Sequence, residues 1–540
     1  MTGMMQDWPL SVARIIDHAA TYHPRREVVS LQCEGGVMRS DWGTVATRSR
    51  QLAAALVGLG MNAGDRVATL AWNTVRHVEC LYGIGGMGGV AHTINPRLFE
   101  EQITYIANHA EDRVLLFDLT FVKLVERLAP GLKTIEHFVL LTDRAHMPES
   151  SLNLLCYEEL LSAEDGTFAW VEMPETAPVG LCYTSGTTGN PKGVQYSHRS
   201  TVLHAMAACA TDTFGIGAMT VVLPVAPMYH VNAWSMPYTA AMAGAKLVLG
   251  GPNFDAPTLQ KLIIDEGVDL ALAVPTIWLG MLQHLERHGG GLGRLNRTAI
   301  GGSAVPRSMI EAFDRLHGVR VMQLWGMTEM SPLGTVGAMT PEVAALPYDE
   351  ALSVRVKQGR GVFGVEMKIV DDEGQELPRD GVTFGRLLVR GPWIVGRYFK
   401  GDGGDVLDAE GWFDTGDVAT LDEQGYMQIT DRSKDVIKSG GEWISSIELE
   451  NEAVGCPGVA EAAVIGVAHP KWDERPLLII VRKPGAAVSA ADVLKHLEGR
   501  IAKWWTPDAV EFVDAIPHTA TGKILKTALR EQFRDYRLAG

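Results

Sequence analysis

Residues 183–194 read YTSGTTGNPKGV, and this stretch decides how the rest of the chain is interpreted. It holds three glycines, four serine or threonine residues, one proline and one lysine, so it has too little apolar side chain for a packed core. Glycines let backbone N–H groups approach an anion, hydroxyls donate hydrogen bonds, and a lysine supplies charge. We therefore expect a loop that holds a phosphate-like anion, with a mobile surface loop as the structural alternative.

The stretch differs from the nucleotide-binding pattern GxxxxGK[ST]. Counted from Gly186, the second required glycine falls on Pro191, and neither serine nor threonine follows Lys192. A different kind of phosphate loop is therefore predicted.

Length and charge limit the classes of function. A chain of 540 residues is too long for one ordinary core, so about two to four domains or subdomains are expected. The hydrophobic fraction of 46% and the charged fraction of 21% are typical of a soluble globular protein. The formal net charge of −16 argues against nucleic acid or an anionic membrane as a partner, because both favour basic surfaces.

Cysteine spacing and the absence of export signals predict a cytoplasmic protein. The six cysteines are scattered without a CxxC pair, which is typical of reduced thiols and does not indicate a metal cluster. The first residues, MTGMMQDWPL, lack the basic and apolar segments of a signal peptide. The most apolar run, residues 270–282, is interrupted by Pro275 and is too short to span a bilayer, so no stable membrane insertion is expected.

Alternating helix-like and strand-like segments predict an α/β fold. Apolar residues recur at helical spacing from Trp42 to Leu56, residues 74–82 resemble a second helix, and residues 65–70 and 114–117 read as buried strands. The same alternation returns with short apolar strands at 221–223, 246–249, 270–274 and 319–322. Two doubly wound α/β subdomains with mainly parallel sheets are therefore expected side by side.

The last third of the chain has a different sequence pattern. From about residue 357 to residue 430, short alternating strands are separated by Asp-Glu-Gly, Asp-Gly and Gln-Gly turns, which predicts a small β-barrel-like subdomain. After the charged segment 431–435 the chain becomes mixed α+β, and it ends near an amphipathic helix at 524–533. We expect an N-terminal domain over residues 1–430, a hinge at 431–435 and a mobile α+β C-terminal domain over 436–540.

Five motifs, taken together, resemble the adenylate-forming superfamily, which includes acyl- and aryl-CoA synthetases, luciferases and the adenylation domains of peptide synthetases. They are YTSGTTGNPKG at 183–193, WGMTE at 325–329, GWFDTGD at 411–417, DRSKD at 431–435 and TGK at 521–523, in the family's order. The resemblance implies that ATP converts a carboxylic acid to an acyl-adenylate with loss of pyrophosphate. The thiol of coenzyme A then displaces AMP, and electrostatic stabilisation of phosphates and oxyanions is expected to dominate catalysis.

The resemblance also implies which residues bind ATP. The β- and γ-phosphates would be held by Thr184, Ser185, Gly186, Thr187, Thr188, Gly189 and Lys192. The nucleotide would further meet Gly302, Ser303, Trp325, Gly326, Thr328, Asp417 and Arg432, with Asp417 on the ribose hydroxyls. Trp325 stands where the family usually has tyrosine, so the aromatic face is kept and a phenol hydroxyl is lost.

Three residues are expected to be catalytic. Glu329 would hold Mg²⁺ together with Thr184, although an isolated Thr-Glu pair would more often be a helix cap. Lys523 would bridge the substrate carboxylate and ATP oxygens during adenylation. Lys526 lies three residues further along a predicted helical face, so spacing alone leaves both lysines open, and the match to Thr-Gly-Lys favours Lys523.

A hinge would let Lys523 enter and leave the site. Lys434 stands at the family's pivot position. Rotation there would bring the segment 440–443, that is Gly440, Gly441, Glu442 and Trp443, toward the channel for coenzyme A. An ordinary turn at 438–442 is the alternative.

Three further patterns are interpreted as structural. GIGGMG at 83–88 fits GxGxxG, but a helix-like segment precedes it, so dinucleotide binding is not expected. His284 and His288 lack the glutamate of HExxH and are expected at an exposed helix end. Residues 371–374 are expected to form a turn.

The acyl pocket is expected to begin at MYHVNAW, residues 228–234. His230 stands where amino-acid-activating members have an aspartate, and without that anion a buried substrate ammonium would be unpaired. Val231, Trp234 and Gly301 are expected to line the pocket, and the indoles of Trp234 and Trp325 would shorten it, although core packing is an equal alternative.

The substrate expectation rests on resemblance alone. MYHVNAW, WGMTEMSP and KSGGEWISS resemble the medium-chain acyl-CoA synthetases, including methylmercaptopropionate–CoA ligases, and a thioether acid packs well against aromatic walls. The alternatives are a medium- or long-chain fatty acid, transfer to a separate carrier protein, and a non-catalytic protein that binds nucleotide or acyl-CoA. A homodimer is left open.

Overall fold

The computed structural model describes residues 3–184, 190–432, 435–440, 442–518 and 523–538, with the backbone alone at Glu442 and Trp443. Seven residues expected in the site lie outside the described residues: Ser185, Gly186, Thr187, Thr188, Gly189, Lys434 and Gly441. The described chain forms three β-sheets flanked by helices.

The elements of the first part of the chain alternate as the sequence predicts. In order they are α1 (Val12–Tyr22), β1 (Glu27–Leu31), β2 (Val37–Asp41), α2 (Trp42–Gly58), β3 (Arg66–Leu70), α3 (Val75–Gly86), β4 (Val90–Thr93), α4 (Glu100–Ala110), β5 (Val114–Phe117), α5 (Val122–Leu128), β6 (His137–Leu140), β7 (Leu154–Cys156), α6 (Tyr157–Ser162), β8 (Pro178–Tyr183), β9 (Gly193–Ser197) and α7 (His198–Cys209). The glycines at 83, 85 and 86 are buried inside α3, so the GxGxxG pattern is helical there.

The middle of the chain continues the alternation and then becomes all-β. Its elements are β10 (Val221–Pro224), α8 (Val231–Trp234), α9 (Met236–Ala243), β11 (Lys246–Leu249), α10 (Ala256–Asp265), β12 (Leu270–Ala273), α11 (Pro275–His288), β13 (Arg297–Ile300), α12 (Arg307–Ala312), β14 (Arg320–Gly326), β15 (Leu333–Val336), α13 (Pro341–Ala344), α14 (Tyr348–Arg355), β16 (Gly359–Gly361), β17 (Glu366–Val370), β18 (Phe384–Arg390), β19 (Phe413–Leu421) and β20 (Tyr426–Arg432). His284 and His288 lie in the last turns of α11, where the sequence places them.

The C-terminal part is mixed α+β. It contains β21 (Ile437–Ser439), β22 (Glu442–Ile444), α15 (Ser446–Val454), β23 (Val459–His469), β24 (Asp473–Arg482), α16 (Ala490–Leu497), β25 (Ala509–Phe512) and α17 (Lys526–Gln532). The last helix begins two residues later than the sequence indicates, because Ile524 forms an antiparallel bridge with His518.

The first sheet has seven strands in the order β7-β6-β5-β3-β4-β8-β9. Its pairs are parallel, except that β8 and β9 form an antiparallel hairpin in which Tyr183 faces Gly193. The predicted anion loop is therefore the connection of this hairpin, held at the edge of a sheet.

The second sheet has thirteen strands in the order β17-β18-β19-β20-β16-β15-β14-β13-β12-β10-β11-β1-β2. Strands β10 to β14 pair in parallel, and from β14 onward the pairs are antiparallel. The β-strands expected after residue 357 thus continue the sheet of the second α/β unit through β15 and β16. The strand β1, from the start of the chain, completes the same sheet beside β11.

The central strands are apolar on both faces. Every residue of β4, β5, β10, β11 and β12 is buried, which is the pattern of parallel strands covered by helices on each side. Strand β13 ends at Ile300, beside Gln323 of β14, and β14 continues to Gly326. The carboxyl ends of parallel strands are where α/β sheets place their ligands.

Candidate active site

A cavity of about 690 Å³ lies between the first two sheets and the start of α17. Its walls come from the β8–β9 hairpin, the ends of β13, β14 and β20, the segment after β18, and the residues before α17. The predicted residues that line it are Thr184, Lys192, His230, Val231, Trp234, Gly301, Gly302, Trp325, Gly326, Thr328, Glu329, Arg432 and Lys523. Asp417 and Ser303 line an adjoining cavity that shares Gly302, Trp325 and Lys523 with the first.

Thr184 and Lys192 close the base of the hairpin loop. The Thr184 amide donates to the Lys192 carbonyl at 2.9 Å, and the Lys192 amide donates to Thr184 Oγ1 at 3.1 Å. These bonds fix both ends of the glycine- and threonine-rich connection. The Lys192 ammonium extends along the cavity wall and lies 4.9 Å from the ring centre of Tyr398.

Glu329 sits in a 3₁₀ turn directly after β14 and is 7% exposed. The Tyr398 hydroxyl donates to Glu329 Oε1 at 2.7 Å, and the Tyr196 hydroxyl donates to the Thr328 carbonyl at 2.8 Å. Hydrogen bonds from residues distant in sequence hold this turn. The helix-cap interpretation of the Thr-Glu pair therefore does not account for the burial of Glu329.

Asp417 joins two strands and one indole. Trp325 Nε1 donates to Asp417 Oδ2 at 2.9 Å, and Arg432 Nε lies 2.8 Å from Asp417 Oδ1. The carboxylate is almost completely buried, at 1% exposure, so these two donors offset the cost of removing it from water. The indole in place of tyrosine thus contributes a hydrogen bond as well as an aromatic face.

The structure separates the two lysines that spacing left open. Lys526 Nζ pairs with Glu450 Oε1 at 2.9 Å and donates to the Ser446 hydroxyl, so its charge is used within the C-terminal part. Burial and the positive charge of Arg432 lower the pKa of Lys523 to about 8, while Asp417 and Glu329 act in the opposite direction. Lys523 is therefore the lysine whose charge is set by the predicted ATP-binding residues.

A left-handed helical turn follows His230 and contains Trp234. Residues 231–235 all have positive φ, between 49° and 64°, although none of them is glycine. Left-handed residues cost roughly 1–2 kcal/mol each, so the surrounding packing must hold this segment. Burial, together with the charge of Lys523, lowers the pKa of His230 to about 4, so the imidazole is neutral at ordinary pH.

Apolar side chains line part of the cavity. Phe214, Leu324 and Leu333 lie there beside Trp234. A methyl group on Gly301 would lie 3.1 Å from the Leu324 side chain, which is closer than usual, and 3.6 Å from the Trp234 ring, which is an ordinary contact, so glycine at 301 chiefly avoids crowding Leu324.

Gly440 begins the segment expected to meet coenzyme A. A methyl group on Gly440 would lie 2.7 Å from the Trp472 ring, and Gly440 has φ +61°. Gly440 is not among the residues that line the cavity.

Sequence reasoning missed several residues of the site. Tyr398, Asp402 and Gly403 come from the segment after β18, and Phe214 and Leu333 close the apolar end. None of them belongs to one of the five motifs. For Tyr398, Asp402 and Gly403 the sequence signal is the run of glycines and aromatic residues at 391–404, which lies within the turn-rich segment predicted as β-strands.

The described residues contain no group of three or more His, Cys, Asp or Glu side chains that could hold a metal ion by itself. Glu329 alone is a sufficient protein contribution for Mg²⁺, which usually binds through one or two carboxylates and the phosphates of its substrate. Within the same residues, no helix combines the length and apolar character needed to cross a bilayer.

Comparisons with known proteins agree with this architecture. Residues 16–399 match the AMP-binding enzyme family, and residues 448–523 match the AMP-binding enzyme C-terminal domain. A 3-methylmercaptopropionyl-CoA ligase of Ruegeria lacuscaerulensis is 53% identical over 99% of both chains. A medium-chain-fatty-acid–CoA ligase of Ectopseudomonas oleovorans is 49% identical over 99% of this chain and 98% of its own.

A solved structure gives the same result for the fold. The crystal structure of an anthranilate CoA ligase in complex with anthranoyl-AMP superposes with a TM-score of 0.87 at 25% identity, covering 98% of this chain and 99% of that one. With both of its regions matched and its relatives aligned end to end, the chain belongs to the AMP-binding, adenylate-forming enzyme family.

Proposed function

We propose that this protein is an AMP-forming acyl-CoA ligase that joins a short or medium-chain carboxylic acid to coenzyme A through an acyl-adenylate. The observation that carries the proposal is the convergence of Lys523, Arg432, Glu329 and Lys192 on one cavity. A second support is the identity of its full-length relatives, which are named as CoA ligases.

In the first half-reaction, a carboxylate oxygen attacks the α-phosphorus of ATP and pyrophosphate leaves. Lys523 would lie between the carboxylate and the phosphate oxygens, and its ammonium would stabilise the charge that develops there. Thr184 and Lys192 would bind the leaving pyrophosphate, and Thr328 would contact the α-phosphate. Asp417 would accept hydrogen bonds from the ribose hydroxyls, with Arg432 beside it.

Mg²⁺ would bind through Glu329 and Thr184 together with the phosphates of ATP. When bound, it would neutralise part of the phosphate charge. The single buried carboxylate at Glu329 suits an ion that keeps most of its ligands from water and phosphate.

In the second half-reaction, the thiol of coenzyme A attacks the acyl carbonyl and AMP leaves. We propose domain boundaries at 1–430 and 436–540 with a pivot at Lys434, because Lys523 lines the cavity from the C-terminal part and would have to leave before a thiol enters. The segment 440–443 would then face the cavity.

The acid is best matched by a small, uncharged tail. His230 is neutral and cannot pair with a substrate ammonium, while Phe214, Trp234 and Leu333 give apolar and aromatic walls. We propose methylmercaptopropionate, since a thioether packs favourably against aromatic rings and a relative 53% identical is named as its ligase. The named activity of the 49% identical relative keeps a medium-chain fatty acid as the second candidate.

The substrate proposal predicts the outcome of an acid panel. With ATP, Mg²⁺ and coenzyme A, AMP production should have its highest kcat/KM with methylmercaptopropionate. Each methylene added beyond the length of the pocket should lower kcat/KM about tenfold or more. Butyrate, octanoate and palmitate provide the length series, and methionine tests the ammonium argument. A preference for octanoate would select the medium-chain alternative.

The same assay tests the reaction itself. If no acid supports exchange of labelled pyrophosphate into ATP, the ligase proposal is wrong and a non-catalytic binding protein is favoured. If the adenylate forms but the addition of coenzyme A does not release AMP, the result favours transfer to a separate carrier protein.

Replacing Lys523 should affect the two half-reactions unequally. Lys523→Ala should slow pyrophosphate release from acid and ATP by roughly 10²–10³-fold, because a charge that stabilises the transition state is removed. Thioester formation from synthetic acyl-adenylate should change less than about threefold, since the lysine leaves the site before that step. Lys495→Ala, an exposed lysine in the same part of the chain, is the control. Equal losses in both halves would contradict the role.

The pH dependence of adenylation should follow Lys523. The proposed role needs the charged ammonium, which is present below its pKa of about 8 and lost above it. The value of kcat/KM for ATP should therefore be level below that pH and fall about tenfold per pH unit well above it. Pyrophosphate exchange measured up to about pH 9.5, with circular dichroism to confirm folding, checks this. A profile that stays level throughout would show that Lys523 does not act as an ammonium.

A rigid pivot should separate the half-reactions. Lys434→Pro fixes φ near −65° and should trap one domain orientation, so that one half-reaction falls at least about tenfold more than the other. Lys434→Ala keeps the backbone free and should resemble the wild type. Separate assays of pyrophosphate exchange and thioester formation give the ratio, and unchanged kinetics in the proline variant would remove the hinge at this position.

A further inference from the structure

Tyr398 stands between two of the proposed phosphate-site residues and belongs to none of the sequence motifs. It comes from the segment that follows β18, and it is 8% exposed. Its hydroxyl donates to Glu329 Oε1 at 2.7 Å, and the Lys192 ammonium lies 4.9 Å from its ring centre. One side chain thus contacts both the acidic and the basic side of the cleft.

The hydrogen bond to Glu329 is strong by its chemistry. The donor is a neutral phenol, because burial and the adjacent Glu329 raise its pKa above the usual range, and the acceptor is a carboxylate. Hydrogen bonds to a charged acceptor are about twice as strong as those between neutral groups. By taking one carboxylate oxygen, Tyr398 fixes the plane of the carboxylate relative to the cavity.

The contact with Lys192 is restricted by its surroundings. A methyl group on Gly403 would lie 2.8 Å from Lys192 Nζ, so the ammonium passes closely between the Tyr398 ring and the backbone of residue 403. An ammonium over an aromatic face is attracted to the ring quadrupole. The Tyr398 ring and the backbone of residue 403 therefore confine the Lys192 ammonium between them.

The segment that carries Tyr398 is itself tied to the Glu329 turn. The Val395 amide donates to the Glu329 carbonyl at 2.7 Å, and the Ser331 hydroxyl donates to the Trp393 carbonyl at 3.1 Å. Trp393 Nε1 donates to the Leu333 carbonyl at 2.9 Å. Three bonds thus hold the Tyr398 segment in register with residues 329–333.

We infer that Tyr398 is a positioning residue for the triphosphate and its magnesium ion, which orients Glu329 through its hydroxyl and Lys192 through its ring. The inference rests on the proposed ATP-dependent function. It divides the side chain into two parts with separable effects: the hydroxyl acts on metal-dependent binding, and the ring acts on phosphate binding.

The experiment measures binding of α,β-methylene ATP, which cannot transfer its nucleotide, by calorimetry across a magnesium titration. Tyr398→Phe should raise the magnesium concentration for half-maximal binding about tenfold, as expected for loss of a hydrogen bond to a charged group. Its affinity for the nucleotide without magnesium should equal that of the wild type. Tyr398→Leu should show the same magnesium effect and also bind the metal-free analogue about threefold to tenfold more weakly, because the cation–ring contact is lost.

Two controls distinguish positioning from general damage. AMP lacks the β- and γ-phosphates, so both variants should bind it with wild-type affinity. Tyr426→Phe is a matched variant: its hydroxyl donates to the Ala338 carbonyl at 2.8 Å, Arg360 lies 5.8 Å from its ring, and it is outside the cavity. It should leave the magnesium titration unchanged.

The outcomes separate this inference from the function on which it rests. If the wild type binds no analogue with magnesium, the proposed function fails. If the wild type binds and Tyr398→Phe matches it, or if AMP affinity falls in parallel with analogue affinity, the positioning role is wrong. In a Glu329→Gln background, Tyr398→Phe should add no further magnesium effect, and an additive effect would also overturn the inference.

Discussion

The site depends on two cations that are held beside each other. Lys523 and Arg432 face the same cavity, and burial together with the charge of Arg432 lowers the pKa of Lys523. Only neighbouring carboxylates make such an arrangement stable, because an unpaired buried charge costs several kcal/mol. Asp417 pairs with Arg432 directly, and Glu329 adds negative charge on the other side. The phosphates of a substrate would give Lys192, which lines the same cavity, and these two cations further negative partners.

The arrangement also explains why a chain with a net charge of −16 can bind anions. The cavity brings Lys192, Arg432 and Lys523 together, although Glu329 and Asp402 also line it. Low-dielectric walls strengthen interactions with charges inside them. The overall charge therefore bears on solubility, and the local set of side chains bears on the ligand.

The fold and many of the residues that line the cavity could be predicted from the sequence, for physical reasons. Fully buried parallel strands are continuous apolar runs, so β5, β11 and β12 could be located to within a residue. The motifs predicted Thr184, Glu329, Asp417 and Lys523 because each is a local string of residues. Tyr398 could not be found in this way, since its role comes from a contact across 69 positions of sequence. The left-handed turn at 231–235 contains no glycine, so the sequence did not indicate it. The hydrogen bond that the Trp325 indole donates to Asp417 was not predicted either, because tryptophan at 325 was interpreted only as the loss of a phenol hydroxyl.

The strand at the very start of the chain has a consequence for the order of assembly. Val28 to Ser30 pair with residues 247–249, more than two hundred positions later, and β10 to β14 lie beyond them in the same sheet. During synthesis β1 can pair with β2 early, but its other edge has no partner until residues 247–249 have left the ribosome. Contacts so distant in sequence form slowly, and until they form an aggregation-prone strand edge is exposed. The nascent protein is therefore most vulnerable to aggregation before the strand at 246–249 has emerged to receive it.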